Sequence, residues 1–130
     1  MDGAPLIPIC DATELSEGGA GVRFDVAVNG ALASAFVVRY RGAVVGFLNR
    51  CAHVAMELDW LPGLFFDDEG AYLVCATHGA IYEPGTGTCA GGPCLGRGGL
   101  LRLRVIERDG RVWWIPDANV TAPTQTLSDS

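Results

Sequence analysis

Lysine is absent from this chain, and all nine of its basic residues are arginine. That excludes a lysine Schiff base and the lysine of a phosphate-binding P-loop. A dense basic cluster is also missing, and the formal net charge is -6. Neither a nucleic acid nor an anionic membrane is therefore an expected partner. Arg97, Arg102, Arg104, Arg108 and Arg111 lie close in sequence and read as the solvated faces of a hairpin. No apolar run reaches the ~20 residues that a membrane helix needs. The opening residues, MDGAPLIPIC, lack the basic segment and apolar stretch of a signal peptide, so a cytoplasmic location is expected. Histidine is scarce: the chain has only His53 and His78.

The 130 residues contain 18 glycines and 7 prolines, a composition of short strands and many turns in one domain. Val22, Phe24, Val26 and Val28 alternate with Arg23, Asp25 and Ala27, which predicts a half-buried strand. Asn29-Gly30 and Asp109-Gly110 are hairpin signals. Further strands are expected over 34–40, 43–48, 71–75, 79–83, 101–107 and 111–115. Only 11–17, DATELSE, suggests a helical turn. The expectation is an all-β domain over 1–116, with a loop-rich insertion at about 49–96 and a polar tail, 117–130, that frays.

That insertion holds four of the five cysteines and both histidines. Cys51 and His53 form C-x-H, and Cys75 and His78 form C-x-x-H. Two cysteines and two histidines suit a tetrahedral zinc site or an iron–sulfur centre. Zinc knuckles commonly supply like ligands in pairs. Here each loop supplies one thiolate and one imidazole, which suits a cluster of two unlike irons, each loop reaching both.

On these residues the chain resembles the Rieske [2Fe–2S] proteins. CAH at 51–53 and CATHG at 75–79 match the two cluster-binding boxes, and TGTCAGGPC at 86–94 resembles the approach to the proline loop that closes over the cluster. The resemblance covers roughly 5–115. It implies a Rieske-type antiparallel β-sandwich carrying a loop-rich cluster-binding subdomain. It also implies one [2Fe–2S] cluster, with Cys51 and Cys75 on the inner iron and His53 and His78 on the outer one. Gly79, Tyr82, Gly92 and Pro93 would surround it, Gly79 by allowing a tight backbone approach. The extra cysteines that form a disulfide in the respiratory members are replaced by Met56 and Thr77, and a serine near the cluster by Ala80. Those departures resemble the soluble ferredoxins and place the potential in the lower half of the roughly -150 to +300 mV Rieske range.

The implied function is one-electron transfer without substrate turnover by this chain. The donor would be a flavin-dependent reductase and the acceptor an oxygenase or other redox enzyme. Two alternatives stand beside it: a small Rieske subunit permanently docked on a larger oxidoreductase, and a structural zinc module. Cys89 and Cys94 read as free, packed thiols rather than a disulfide, given the expected reducing compartment. Cys10 reads as a buried small residue. The apolar stretch WLPGLFF at 60–66 reads as a satellite core, with an exposed docking patch as its alternative. The acidic Asp67, Asp68 and Glu69 read as a solvated turn.

Overall fold

In the computed structural model the described residues are 6–50, 58, 65–67, 70–75, 79–92, 99–117 and 120–122. They form ten strands: β1 Ile7–Asp11, β2 Val22–Val28, β3 Ala31–Tyr40, β4 Ala43–Leu48, β5 Leu73–Val74, β6 Ile81–Tyr82, β7 Cys89–Gly91, β8 Arg102–Arg108, β9 Arg111–Ile115 and β10 Val120–Thr121. A 3-10 turn, Ala12–Glu14, falls within the predicted helical stretch. The fold is all-β, as expected. Among the described residues no helix is long and apolar enough to cross a membrane.

Seven strands make one antiparallel sheet in the order β1-β9-β8-β4-β3-β2-β10. Its hinge is β8, whose Arg102 and Leu103 pair with β4 while Arg104–Arg108 pair with β9. The β9 half thereby curls over the β2–β3 half. Val26, Ala35, Leu48, Leu103, Trp114 and Val120 meet between the two, and the Phe24 and Trp114 rings lie 5.5 Å apart. Gly46 permits that curl, because a Cβ there would stand 2.9 Å from Val105 Cγ1.

Three two-residue turns join the long strands. Asn29-Gly30, Arg41-Gly42 and Asp109-Gly110 all have both residues at positive φ, the backbone of a type I′ hairpin. Asparagine and aspartate tolerate that region, whereas arginine does so only at a cost. The Glu17 carboxylate compensates at the middle turn by accepting the backbone N–H groups of Arg41 and Gly42. The Arg41 guanidinium lies 5.2 Å over the Tyr40 ring. Arg39 ties the same region to β8: it makes two hydrogen bonds with Glu107, at 2.9 and 3.2 Å, and donates to the Leu15 and Ala12 carbonyls.

The centre of β3 positions the site. Ala35, Phe36, Val37 and Val38 are all fully buried, so this strand is covered on both faces. Ala35 and Val37 face the two cores of the curled sheet. Phe36 and Val38 face outward, together with Val45 and Phe47 of β4, and join Leu58, Phe65, Leu73, Cys75, Ala80, Tyr82 and Leu100 in one further core. A strand with two apolar faces must be covered twice, and here the second cover is the 49–96 insertion.

Three strands were not anticipated. β1 contains Pro8 and a bulge between Pro8 and Cys10, so its apolar alternation is broken. β7 is only three residues long. β10 lies in the segment read as a fraying tail, yet Val120 is buried and pairs with Val28. Asp117 holds it there by accepting the Val120 N–H on its carboxylate at 2.9 Å. The sheet thus extends past the boundary placed at 116.

Candidate metal centre

Of the four predicted ligands, Cys75 is described, whereas Cys51, His53 and His78 lie outside the described residues, as does Pro93. Cys75 directly follows β5 and is fully buried, with its thiol outside any disulfide. Its N–H donates to the Ala80 carbonyl and its own carbonyl accepts the Gly79 N–H, both at 2.8 Å. The backbone of Cys75 is therefore paired with Gly79 and Ala80 just beyond the end of β5. The β5–β6 pair, Leu73 with Tyr82 and Val74 with Ile81, continues the closure.

Gly79 lies at φ +77, and among the described residues a Cβ there would meet no atom within 4 Å. Its backbone conformation by itself calls for glycine. The close approach belongs to Gly92: a Cβ on it would stand 2.8 Å from the Gly79 carbonyl oxygen and 3.0 Å from the Ala80 Cα. Gly91 pairs with Ile81 in β6. The strand leading to the proline loop thus lies directly on the backbone of the second box. Tyr82 is fully buried in the core that contains Cys75 and Ala80.

The first box is braced by a residue that the motif reading passed over. Asn49 is the one buried polar side chain among the described residues. Its Oδ1 accepts the Leu58 N–H at 2.8 Å and its Nδ2 donates to Ser34 Oγ at 3.4 Å, while its backbone N–H donates to the Ser34 carbonyl. One amide therefore joins both ends of the segment that carries Cys51 and His53. The signal was present in the sequence as a polar residue ending an apolar strand, AVVGFLN.

The described part of the apolar loop is core, as read: Phe65 is buried and Phe66 partly buried. Phe65 stacks on Phe36 with centroids 3.8 Å apart and planes 9° from parallel, so it is part of the core under the site. Phe66 packs against Tyr40. Trp60, Leu61 and Leu64 lie outside the described residues. Asp67 caps a turn, its carboxylate accepting the Ala71 and Tyr72 N–H groups at 2.9 and 3.4 Å. Asp68 and Glu69 lie outside the described residues. Arg102, Arg104, Arg108 and Arg111 are exposed on the β8–β9 hairpin, as expected.

One cysteine reading changes. Cys89 is disulfide-bonded, which overturns the expectation of a free thiol there; Cys94 lies outside the described residues. Cys10 is half-buried beside Glu14 and Asp11. Burial, with those two carboxylates, pushes its thiol up to about 11, which keeps it protonated and unreactive at neutral pH.

The described residues fit a metal cluster. A thiol sits in a desolvated core wall directly after β5, and Gly91 and Gly92 let a second segment lie close on the Gly79–Ile81 stretch beside it. Among the described residues no three metal-ligating side chains converge, since three of the four predicted ligands lie outside them.

Comparison with known proteins agrees with this geometry. A family model for the Rieske [2Fe–2S] domain matches residues 6–122. No curated protein matches. Among solved structures, the ferredoxin of carbazole 1,9a-dioxygenase from Nocardioides aromaticivorans IC177 superposes with a TM-score of 0.68 at 20% identity, covering 88% of this chain and 100% of its own. The Sphingomonas yanoikuyae B1 ferredoxin gives 0.65 at 20% identity, covering 87% and 100%. A chain from a complex of reduced oxygenase and oxidized ferredoxin in carbazole 1,9a-dioxygenase gives 0.65 at 23% identity, covering 87% and 94%.

Proposed function

Because this chain belongs to the Rieske [2Fe–2S] domain family, we propose that it is a one-electron carrier, the ferredoxin component of an oxygenase-type electron-transfer chain. The family's cofactor is a [2Fe–2S] cluster held by two cysteines and two histidines, and when bound it supplies a one-electron redox couple. Cys51 and Cys75 are the thiolate ligands in this reading, and His53 and His78 the imidazole ligands. The observation that carries the reading is Cys75: a buried thiol outside any disulfide, directly after β5, with its backbone hydrogen-bonded to Gly79 and Ala80.

The chain's own residues set the rest. Leu73, Ala80, Tyr82 and Phe65 exclude water from the thiolate side, so extra negative charge there is poorly solvated. Ala80 offers no hydroxyl to a cluster sulfur, and the Gly79 N–H is already committed to the Cys75 carbonyl. The missing hydroxyl at Ala80 and the dry wall both favour a low potential. The imidazoles of His53 and His78 would form the exit for the electron and carry the protons that couple to it. The donor is a flavin-dependent reductase and the acceptor an oxygenase. Complexes of that kind occur among the structural neighbours, which supports the acceptor class. The zinc reading finds no support in the family. Phe65 of the apolar loop packs in the internal core and not on a docking face.

A potentiometric titration across pH, followed by visible circular dichroism and electron paramagnetic resonance, tests this. The expected outcome is a red-brown protein with a potential in the lower half of the Rieske range that falls only at alkaline pH. Cys75→Ser should abolish the colour. A colourless wild-type protein containing stoichiometric zinc would overturn the reading.

A further inference from the structure

We infer that the outer face of the β8–β9 hairpin is a docking surface for a partner protein whose own face carries carboxylates around an apolar centre. Alternation puts Arg104, Ile106 and Arg108 of β8 in one row, and the register sets Ile115, Trp113 and Arg111 of β9 opposite them in that order. On the other face of the hairpin, Val105, Val112 and Trp114 belong to the cores of the curled sheet. The outer rows do not. Ile106, Trp113 and Ile115 are partly exposed and join none of the three cores of the described residues. Arg104, Arg108 and Arg111 stand exposed around them.

Charge and residue type name the occupant. The chain carries a formal charge of -6, yet this face sets three arginines against the one carboxylate paired across it, Asp11, which lies 3.5 Å from Arg111. Glu107 belongs to the opposite face, where it binds Arg39. Among the described residues Arg104 and Arg108 form no ion pair. A positive area on an acidic molecule steers carboxylates to itself. Trp113 is already oriented, because its indole N–H donates to the Arg108 carbonyl at 3.2 Å, so little ordering is left for binding to impose. Tryptophan and arginine around an apolar centre are the residue types that anchor protein interfaces. A second copy of this chain fits less well, because a two-fold contact sets the same arginines against each other. A nucleic acid also fits less well: the net charge repels its phosphates, and a phosphate backbone offers nothing apolar to Ile106 and Ile115.

The face is continuous with the one that bears the candidate metal centre. Arg102, two residues before Arg104 on the same strand, pairs with Phe47, and Phe47 lies in the core beneath the 49–96 insertion. Arg102 also donates to the Gly85 carbonyl in that insertion at 2.8 Å. A partner seated on the hairpin is therefore held alongside the insertion. Recognition here needs no cluster, so it stands or falls separately from the electron-carrier reading.

The test places the photo-crosslinker p-benzoylphenylalanine at position 115 of the full chain, and at the exposed Leu32 on β3 as a control. Each protein is irradiated in an extract of the cells that make it, and the joined peptides are sequenced. The inference expects one protein to be cross-linked from position 115 and not from 32, through a segment rich in aspartate and glutamate. The yield should fall about tenfold in Arg104→Glu/Arg108→Glu, with a smaller loss in Arg104→Gln/Arg108→Gln. Both variants should keep the wild-type circular dichroism and urea midpoint. Raising salt from about 0.15 M to about 1 M, which shortens the screening length from about 8 Å to about 3 Å, should act in the same direction. The captured protein is then purified, and the carboxylates of its cross-linked segment are replaced by arginine. That exchange should restore binding to the Arg104→Glu/Arg108→Glu chain. No cross-link above the control, a cross-link to nucleic acid or to a second copy, a joined segment without carboxylates, or a failed charge exchange would each overturn the inference.

Discussion

Asn49 is the residue on which the first ligand loop depends. Replacing it with alanine leaves the Leu58 N–H buried without its acceptor, a loss of about 1–3 kcal/mol. Asn49→Ala should lower the unfolding free energy by that amount, read from the fall in urea midpoint, and hasten cluster loss, with little change in the β-sheet circular dichroism. Asn49→Asp keeps the acceptor and should recover part of both. Arg41 is the opposite case, a residue tolerated rather than required. Its φ of 52 suits asparagine better in a type I′ turn, so Arg41→Asn should raise stability by about 1 kcal/mol in the same assay. Cys10, with its thiol at about 11, should react with iodoacetamide near pH 8 about a hundredfold more slowly than a free cysteine. The Cys-x-His and Cys-x-x-His pairs were legible from spacing alone. Asn49 was not, because its role comes from the position of Leu58, nine residues away.

At the scale of elements, the hairpins were written locally. Alternation in β2, the Asn-Gly and Asp-Gly turns and the β8–β9 pair all followed from neighbours in the chain. β10 did not. Its Val120 is a single apolar residue in polar company, and only the exposed edge of β2 makes it a strand. The apolar loop shows the same limit. Phe65 and Phe66 are adjacent and chemically identical, yet Phe65 stacks on Phe36 and is fully buried, whereas Phe66 packs against Tyr40 and is only partly buried. Phe65→Ala should therefore cost about 3–5 kcal/mol, and Phe66→Ala distinctly less, as read by denaturant unfolding. Near-equal losses would mean that Phe65 is not the keystone between sheet and insertion.

The whole molecule is held across its curl by Arg39, which joins β3 to Glu107 on β8, and across its middle turn by Glu17. Both carboxylates are held below the usual range: Glu107 chiefly by its hydrogen bond from Arg39, and Glu17 chiefly by the Gly42 and Arg41 backbone N–H groups. A carboxyl with a lower value folded than unfolded contributes stability above its unfolded value and loses it as pH falls through the folded one. Stability should therefore decline below about pH 4.5, the unfolded glutamate range. The difference between wild type and Glu107→Gln should be full near neutrality and vanish on acidification, in urea titrations run from pH 7 to pH 3. A difference that grew on acidification would contradict the Arg39 pairing.

The amino-acid sequence by itself determined the chemistry. Ligand type and spacing are properties of a few adjacent residues, and so are hairpin turns and strand alternation, because each depends on groups within bonding reach along the chain. Tertiary structure alone decided which groups meet across it. It set Gly92 on the Gly79 carbonyl, Phe65 on Phe36, Val120 on the edge of β2 and a disulfide at Cys89. Those contacts arise when a strand with two apolar faces must be covered twice, and no local pattern states which distant segment will do the covering.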